Sequence, residues 1–205
     1  FRLALVTTTT DGISKADEDN GNTEDAPYEA LPLSAKGGLN FGDKARLSAD
    51  ILWTDAEAEF DSFVFGNQGN VGDGAEVSET QELSGNLAFE VSLFDGRLEN
   101  LALIGFSAIK RENFTNGAPS FDAEGDRSLL RYQGTLDINE TNTLAFGAER
   151  EETRVDGDEV YINGLFALYE VKPTEQLTLT GGLRVDDHET FGSETTGRVA
   201  VAFNP

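Results

Sequence analysis

Three groups of side chains in this sequence have the types and spacing to do chemistry. The first is the acidic run Asp17-Glu18-Asp19-Asn20-Gly21-Asn22-Thr23-Glu24-Asp25. Clustered carboxylates suit a hard cation such as Ca²⁺, which takes about 6–8 oxygen ligands. The run departs from the EF-hand loop, because Gly21 stands one place early and the closing Glu is missing from its required position. A solvated acidic loop is the plainer reading. The second group is His188, the single histidine, with Asp186, Asp187 and Glu189 beside it. An imidazole among carboxylates can ligate a metal or act as a base. No Ser or Cys nucleophile stands at a recognisable spacing, and neither a nucleophile elbow nor a metalloprotease helix is encoded. The plainer reading is a loop-tip histidine in solvent. The third group is Glu149-Arg150-Glu151-Glu152-Thr153-Arg154. Its mixed signs point to ion pairs rather than catalysis, and exposed pairs contribute only about 0–1 kcal/mol. No enzymatic activity is expected.

Composition narrows the classes further. The 205 residues carry 15 Lys+Arg against 38 Asp+Glu, a net charge of −23. Such a chain is not a nucleic-acid binder, because phosphate contacts need clustered cations. With no Cys there are no disulfides, thiolate metal sites or cysteine nucleophiles. No apolar run of about 18 residues is present to form a transmembrane helix. The first ten residues lack the basic start and cleavage site of a signal peptide. Met is absent, so Phe1 is not a translation start and the chain is expected to be processed, engineered or a fragment.

The elements that must position these groups show a period of two. Leu83, Gly85, Leu87, Phe89, Val91 and Leu93 share one face, against Ser84, Asn86, Ala88, Glu90 and Ser92. Leu47, Ala49, Ile51 and Trp53 oppose Arg46, Ser48, Asp50 and Thr54. Leu130, Tyr132, Gly134, Leu136 and Ile138 oppose Arg131, Gln133, Thr135 and Asp137. Leu177, Leu179, Gly181, Leu183 and Val185 oppose Thr178, Thr180, Arg184 and Asp186. The stretches 31–41 and 199–203 alternate likewise, 165–171 only weakly, and 101–109 is nearly all apolar. Successive strand side chains point to opposite faces, so these runs read as strands with one apolar and one polar face. Helical spacing is scarce and Gly is scattered through the elements, which disfavours helices.

Short turns are expected at 42–44, 95–97, 139–142 and 172–176, where Asp95-Gly96 and Pro173 carry turn chemistry. Mostly longer polar connections are expected at 11–29, 64–79, 115–125, 156–159 and 186–196. The result is an all-β, antiparallel up-and-down meander of about ten strands whose two ends differ. Two architectures fit. In a soluble β-sandwich the apolar face is inside; in an outer-membrane β-barrel it meets lipid and the polar face lines the lumen. Segments of about 9–12 residues suffice to cross a bilayer when tilted. The charges Asp50, Glu90, Arg131 and Arg184 at mid-strand need a wet lumen. Both features, with the short-turn and long-loop asymmetry, favour a transmembrane barrel.

The stretch Leu177-Thr-Leu-Thr-Gly-Gly-Leu-Arg184-Val-Asp-Asp-His188 resembles a barrel strand common in TonB-dependent receptors, and Ala167-Leu-Tyr169-Glu-Val-Lys-Pro173 resembles the strand and turn before it. Asp186-Asp187-His188-Glu189-Thr190-Phe191-Gly192 is similar to a loop of the vitamin B12 (cobalamin) transporters within that family. Asp11-Gly12-Ile13 and Trp53-Thr-Asp-Ala-Glu-Ala-Glu-Phe60-Asp61 are loosely similar to early barrel hairpins of that group. The family has a barrel of about 22 strands closed by a plug domain. On that resemblance residues 1–205 are one barrel segment without a plug, an internal piece of a longer receptor. The resemblance implies uptake of a scarce nutrient, cobalamin foremost, bound by extracellular loops and passed through a plugged barrel energised by TonB. It implies the bacterial outer membrane as location, with membrane lipid and lipopolysaccharide as neighbours. Arg131 and Arg184 would then meet lumen carboxylates or the plug. It also implies calcium held between neighbouring acidic loops, with Glu24, Asp25 and Asp61 as the shared ligands. The alternatives are a siderophore receptor of the same family, a self-contained small barrel of porin or protease type, and a soluble β-sandwich adhesin.

Overall fold

The structure, a computed structural model, describes residues 1–13, 16, 19, 22–62 and 71–204. Asp17, Glu18 and residues 64–70 of the connection expected at 64–79 lie outside the described residues. The strands are β1 (Arg2–Leu5), β2 (Thr8–Thr10), β3 (Tyr28–Phe41), β4 (Ala45–Ser62), β5 (Gly72–Leu93) and β6 (Leu98–Thr115). They continue as β7 (Ala118–Asn139), β8 (Asn142–Val155), β9 (Asp158–Thr174), β10 (Leu177–His188) and β11 (Gly192–Phe203). All belong to one 11-stranded sheet in the order β1-β3-β4-β5-β6-β7-β8-β9-β10-β11, with β2 also paired to β3. Nearest neighbours in sequence are neighbours in the sheet, as an up-and-down meander requires.

Eleven strands arise where about ten are expected because the first is broken. Its register does not change across the break: Leu5 faces Leu33 in β3, and Thr8 faces Ala30. Between them Val6 N donates to Pro32 O at 3.1 Å. An antiparallel hydrogen-bonded pair exchanges two such bonds. Pro32 has no N–H to return the second, so the ladder lapses there. A second irregularity lies between Leu177 and Leu179, where the register against β9 shifts opposite Pro173.

Three of the expected long connections are tight turns instead. Between β6 and β7 only Asn116 and Gly117 turn the chain, with φ of 51° and 74°. Asp156 and Gly157 do the same between β8 and β9, with φ of 50° and 92°. Positive φ at both positions is the type I′ hairpin, for which Asn-Gly and Asp-Gly are the favoured pairs. The polar residues after Asn116 therefore extend strands rather than form loops. The β10–β11 connection is 189–191. Of the other two expected connections, 28–29 belong to β3 and 72–79 to β5.

The strand faces are dressed opposite to a water-soluble sheet. Ala16 is the only buried hydrophobic side chain among the described residues. Leu165 is 63% exposed, Leu183 65%, and Val199 85%. The alternate positions Phe166, Arg184 and Asp186 are better covered. A sandwich would bury its apolar faces against a second sheet, and the described strands all lie in one. The weak alternation of 165–171 has a local cause. Leu165, Ala167 and Tyr169 face outward, while Phe166 and Leu168 turn to the charged face and cover glycines. A Cβ on Gly147 would lie 2.5 Å from Phe166 Cζ, and one on Gly182 would lie 2.7 Å from Leu168 Cδ1. Scattered strand glycines thus make room for large side chains on neighbouring strands.

The chain divides into two compact units. One comprises 1–36, 51–84 and 107–126; the other comprises 37–50, 85–106 and 127–205.

Candidate functional site

The second unit carries an ionic cluster across β7, β8, β9 and β10. Antiparallel register places Glu149 opposite Gly164, and Gly164 opposite Asp186. Arg184 reaches over that glycine. Its Nε donates to Asp186 Oδ2 at 2.8 Å and Oδ1 at 2.9 Å, and its Nη2 bonds Glu149. From β7, Arg131 Nε donates to Glu149 Oε2 at 2.9 Å. The Glu149 side chain is only 14% exposed and has two guanidinium partners. A carboxylate so covered needs such partners, because an unpaired buried charge is expensive. Arg127 extends the row by bonding Glu151.

The run 149–154 divides by parity. Glu149 and Glu151 face this cluster. Arg150 and Arg154 join Glu152 on the other face, where Arg154 Nη2 lies 2.6 Å from Glu152 and its Nε 2.8 Å from Glu159. Arg150 sits 4.5 Å above the Tyr161 ring. The expected ion pairs of Arg131 and Arg184 with carboxylates of the same face are present. Gly164 escaped sequence reasoning, since only the register of three strands reveals it.

In the first unit the long connection is tied down through backbone groups. Asp73 Oδ2 accepts from Thr23 N at 2.8 Å and from Glu24 N at 3.2 Å, while Asn22 Oδ1 accepts from Asp73 N at 3.2 Å. Asp61 Oδ2 accepts from Ala16 N at 3.0 Å. Glu24 and Asp25 are exposed, and Asp61 is half-buried. The structure does not gather Glu24, Asp25 and Asp61: among the described residues no three His, Asp or Glu side chains are close enough to hold a metal ion. The anchoring role of Asp73 carried no signal in the sequence. Gly12, φ 75°, closes the neck of this connection against the backbone of Ala26.

His188 has a structural task. Its Nδ1 accepts from Thr190 N at 3.1 Å and from Phe191 N at 3.4 Å, and its ring lies 4.6 Å from that of Phe191. No hydroxyl or second ligand accompanies it among the bonds described.

An up-and-down antiparallel sheet with an exposed apolar face and a covered, ion-paired face is the wall of an outer-membrane type of β-barrel. Residues 3–205 match the family model for the TonB dependent receptor-like β-barrel, and the chain belongs to that family. Its members are outer-membrane receptors of Gram-negative bacteria, not enzymes. A curated relative is the Vitamin B12 transporter BtuB of Photobacterium profundum, 20% identical over 99% of this chain and 33% of that protein. Among solved structures, the siderophore receptor PirA from Acinetobacter baumannii matches with a TM-score of 0.72 at 12% identity, covering 98% of this chain and 36% of that one. A mutant of the ferric enterobactin receptor PfeA from Pseudomonas aeruginosa matches with a TM-score of 0.71 at 12% identity, over 97% and 36%. Both share the fold. The chain spans about a third of the length of these relatives.

Proposed function

We propose that this chain is part of the barrel of an outer-membrane receptor that takes up cobalamin, with its apolar face in membrane lipid beside lipopolysaccharide. The observation that carries the membrane placement is the inverted burial: Leu165, Leu183 and Val199 are open while Glu149 is covered. Nutrient bound at the loop-bearing end would pass along the charged face once a plug, energised through TonB, yields. The Arg131–Glu149–Arg184 row is the surface that plug would meet.

Two features support cobalamin as the ligand. The curated relative is a vitamin B12 transporter. The chain is strongly acidic, at −23, which disfavours a multiply anionic ferric catecholate more than a corrinoid of little net charge. The siderophore reading is supported by the fold likeness to PirA and PfeA. Equilibrium binding of cyanocobalamin and of ferric enterobactin to the intact receptor separates them. Retention of cyanocobalamin alone is expected; retention of ferric enterobactin alone overturns the cobalamin reading.

Calcium remains the ion whose chemistry the acidic connection suits. In this reading Glu24, Asp25 and Asp61 would close together around it. Calorimetric titration of the folded receptor with CaCl₂ tests this, and the absence of uptake removes it.

A further inference from the structure

The apolar face of the second unit is not even. Register lines up two rows across β8, β9, β10 and β11: Leu144–Tyr169–Gly181–Val199 and Phe146–Ala167–Leu183–Gly197. Gly181 thus stands between a tyrosine and a valine, and a Cβ built on it would meet nothing within 4 Å. A depression of about 540 Å³ opens there, walled by Leu144, Tyr169, Leu183 and Val199. Arg198 also borders it, but its side chain belongs to the charged face. There a Cβ on its register partner Gly182 would stand 3.7 Å from Arg198 Cγ. A face that meets hydrocarbon does not keep such a space empty, because its lining would lose dispersion contacts.

The depression has a polar end. The Tyr169 hydroxyl donates to Asn142 Oδ1. Asn142 Nδ2 in turn donates to Asn139 Oδ1 at 2.8 Å and to Thr141 Oγ1 at 2.9 Å. Asn139 Oδ1 also accepts from Thr141, while the Asn139 amide nitrogen donates to none of the described residues. These residues make up the β7–β8 turn, and its Glu140 is about 13 Å of extended chain from Leu144. Glu140 is exposed, as is Glu175 in the neighbouring β9–β10 turn. The cation nearest to them in sequence, Lys172, lies 3.2 Å from Glu170. The two turns therefore offer carboxylates and an amide donor, and the cation beside them is paired.

We propose that this depression seats one acyl chain of a zwitterionic aminophospholipid whose headgroup lies at the β7–β8 and β9–β10 turns. The chain fills the space over Gly181. Tyr169 stands at the boundary, its ring against the chain and its hydroxyl in the polar network. The Asn139 amide donates to the phosphate, and Glu140 and Glu175 take the ammonium. An anionic headgroup without an ammonium would meet two carboxylates there and no open cation. The inference rests on the membrane placement above and adds which lipid the face selects.

The test uses the intact receptor in detergent, with phosphatidylethanolamine and phosphatidylglycerol titrated separately from mixed micelles. Native mass spectrometry counts the lipids and the receptor copies, and heat-modifiable electrophoretic mobility checks folding. One phosphatidylethanolamine should be held at least about tenfold more tightly than phosphatidylglycerol. Gly181→Leu fills the depression with a side chain the backbone has room for, and should lose that lipid. If it fails to fold, Ala167→Leu takes its place with the same expectation. Glu140→Gln combined with Glu175→Gln should keep a bound lipid but erase the preference between headgroups. Asp158→Asn, in the hairpin at the opposite end, should behave as the unaltered receptor does. Equal retention of both lipids by the unaltered receptor overturns the headgroup assignment. Undiminished retention by Gly181→Leu overturns the seat, and so does loss of a receptor dimer in place of a lipid. A nitroxide at position 165 reads the membrane placement separately. Lipid contact there with no retained lipid sinks the seat alone, whereas water contact there sinks both.

Discussion

Gly164 lies beneath Arg184: a Cβ built on the glycine would stand 2.8 Å from Arg184 Nη2 and 3.0 Å from Asp186 Oδ1. The same Cβ would be 3.0 Å from Glu149 Cγ. The cluster thus exists because β9 has no side chain where β8 and β10 each present a carboxylate. Gly164→Val should push the guanidinium off both acceptors. Removing charge-assisted bonds from a covered carboxylate costs about 1.5–3 kcal/mol. Denaturant midpoints of the refolded receptor should fall accordingly. A double variant with Glu149→Gln should lose less than the sum, because both changes break the same contacts.

Gly12 sets the shape of the first long connection. With φ at 75° and a would-be Cβ overlapping Ala26 O, even Gly12→Ala cannot be accommodated without opening the neck. The variant should cost about 1–3 kcal/mol locally, as positive-φ strain and lost loop docking do. Limited proteolysis should then cleave within 11–27 faster than in the parent, while the strand protection measured by hydrogen exchange stays unchanged.

The fold is legible in the sequence wherever parity alone decides. Alternation at 83–93, 130–138 and 177–185 marks strands and faces that the sheet reproduces. Polar residues that line a strand as it leaves the apolar zone read as loops, as after Asn116. There the Asn116-Gly117 pair is the better guide. The break opposite Pro32 and the place of Gly164 need the pairing register, which no single strand encodes. Glu24, Asp25 and Asp61 are legible as carboxylates, but the acceptance by Asp73 Oδ2 from Thr23 N and Glu24 N is not.

His188 holds the β10–β11 turn closed through its ring nitrogen. Its Nδ1 accepts from the backbone N–H groups of both Thr190 and Phe191. The carboxylates around the turn are Asp186, Asp187, Glu189 and Glu194; Asp187 is held by Ser193 Oγ at 2.5 Å and Glu189 by Tyr161 N at 3.3 Å. Amide exchange at Thr190 and Phe191 should be faster in His188→Ala than in the parent, because both N–H groups lose their acceptor.

The exposed apolar face gives a direct energetic expectation. A cation placed mid-bilayer on the lipid side of a barrel costs about 2–4 kcal/mol. Leu183→Lys should therefore weaken folding into vesicles by that amount. Thr180→Lys, on the opposite face of the same strand, should change it far less.

The central claim is that the apolar face meets lipid and the charged face meets water. The chain has no cysteine, so single nitroxide labels can be placed freely. Labels at positions 183 and 199 report one face, and at 180 and 196 the other. In the intact receptor reconstituted in vesicles, relaxation by oxygen should dominate at 183 and 199. A water-soluble nickel complex should dominate at 180 and 196. The reverse pattern, or equal access to the nickel complex at all four, would contradict it.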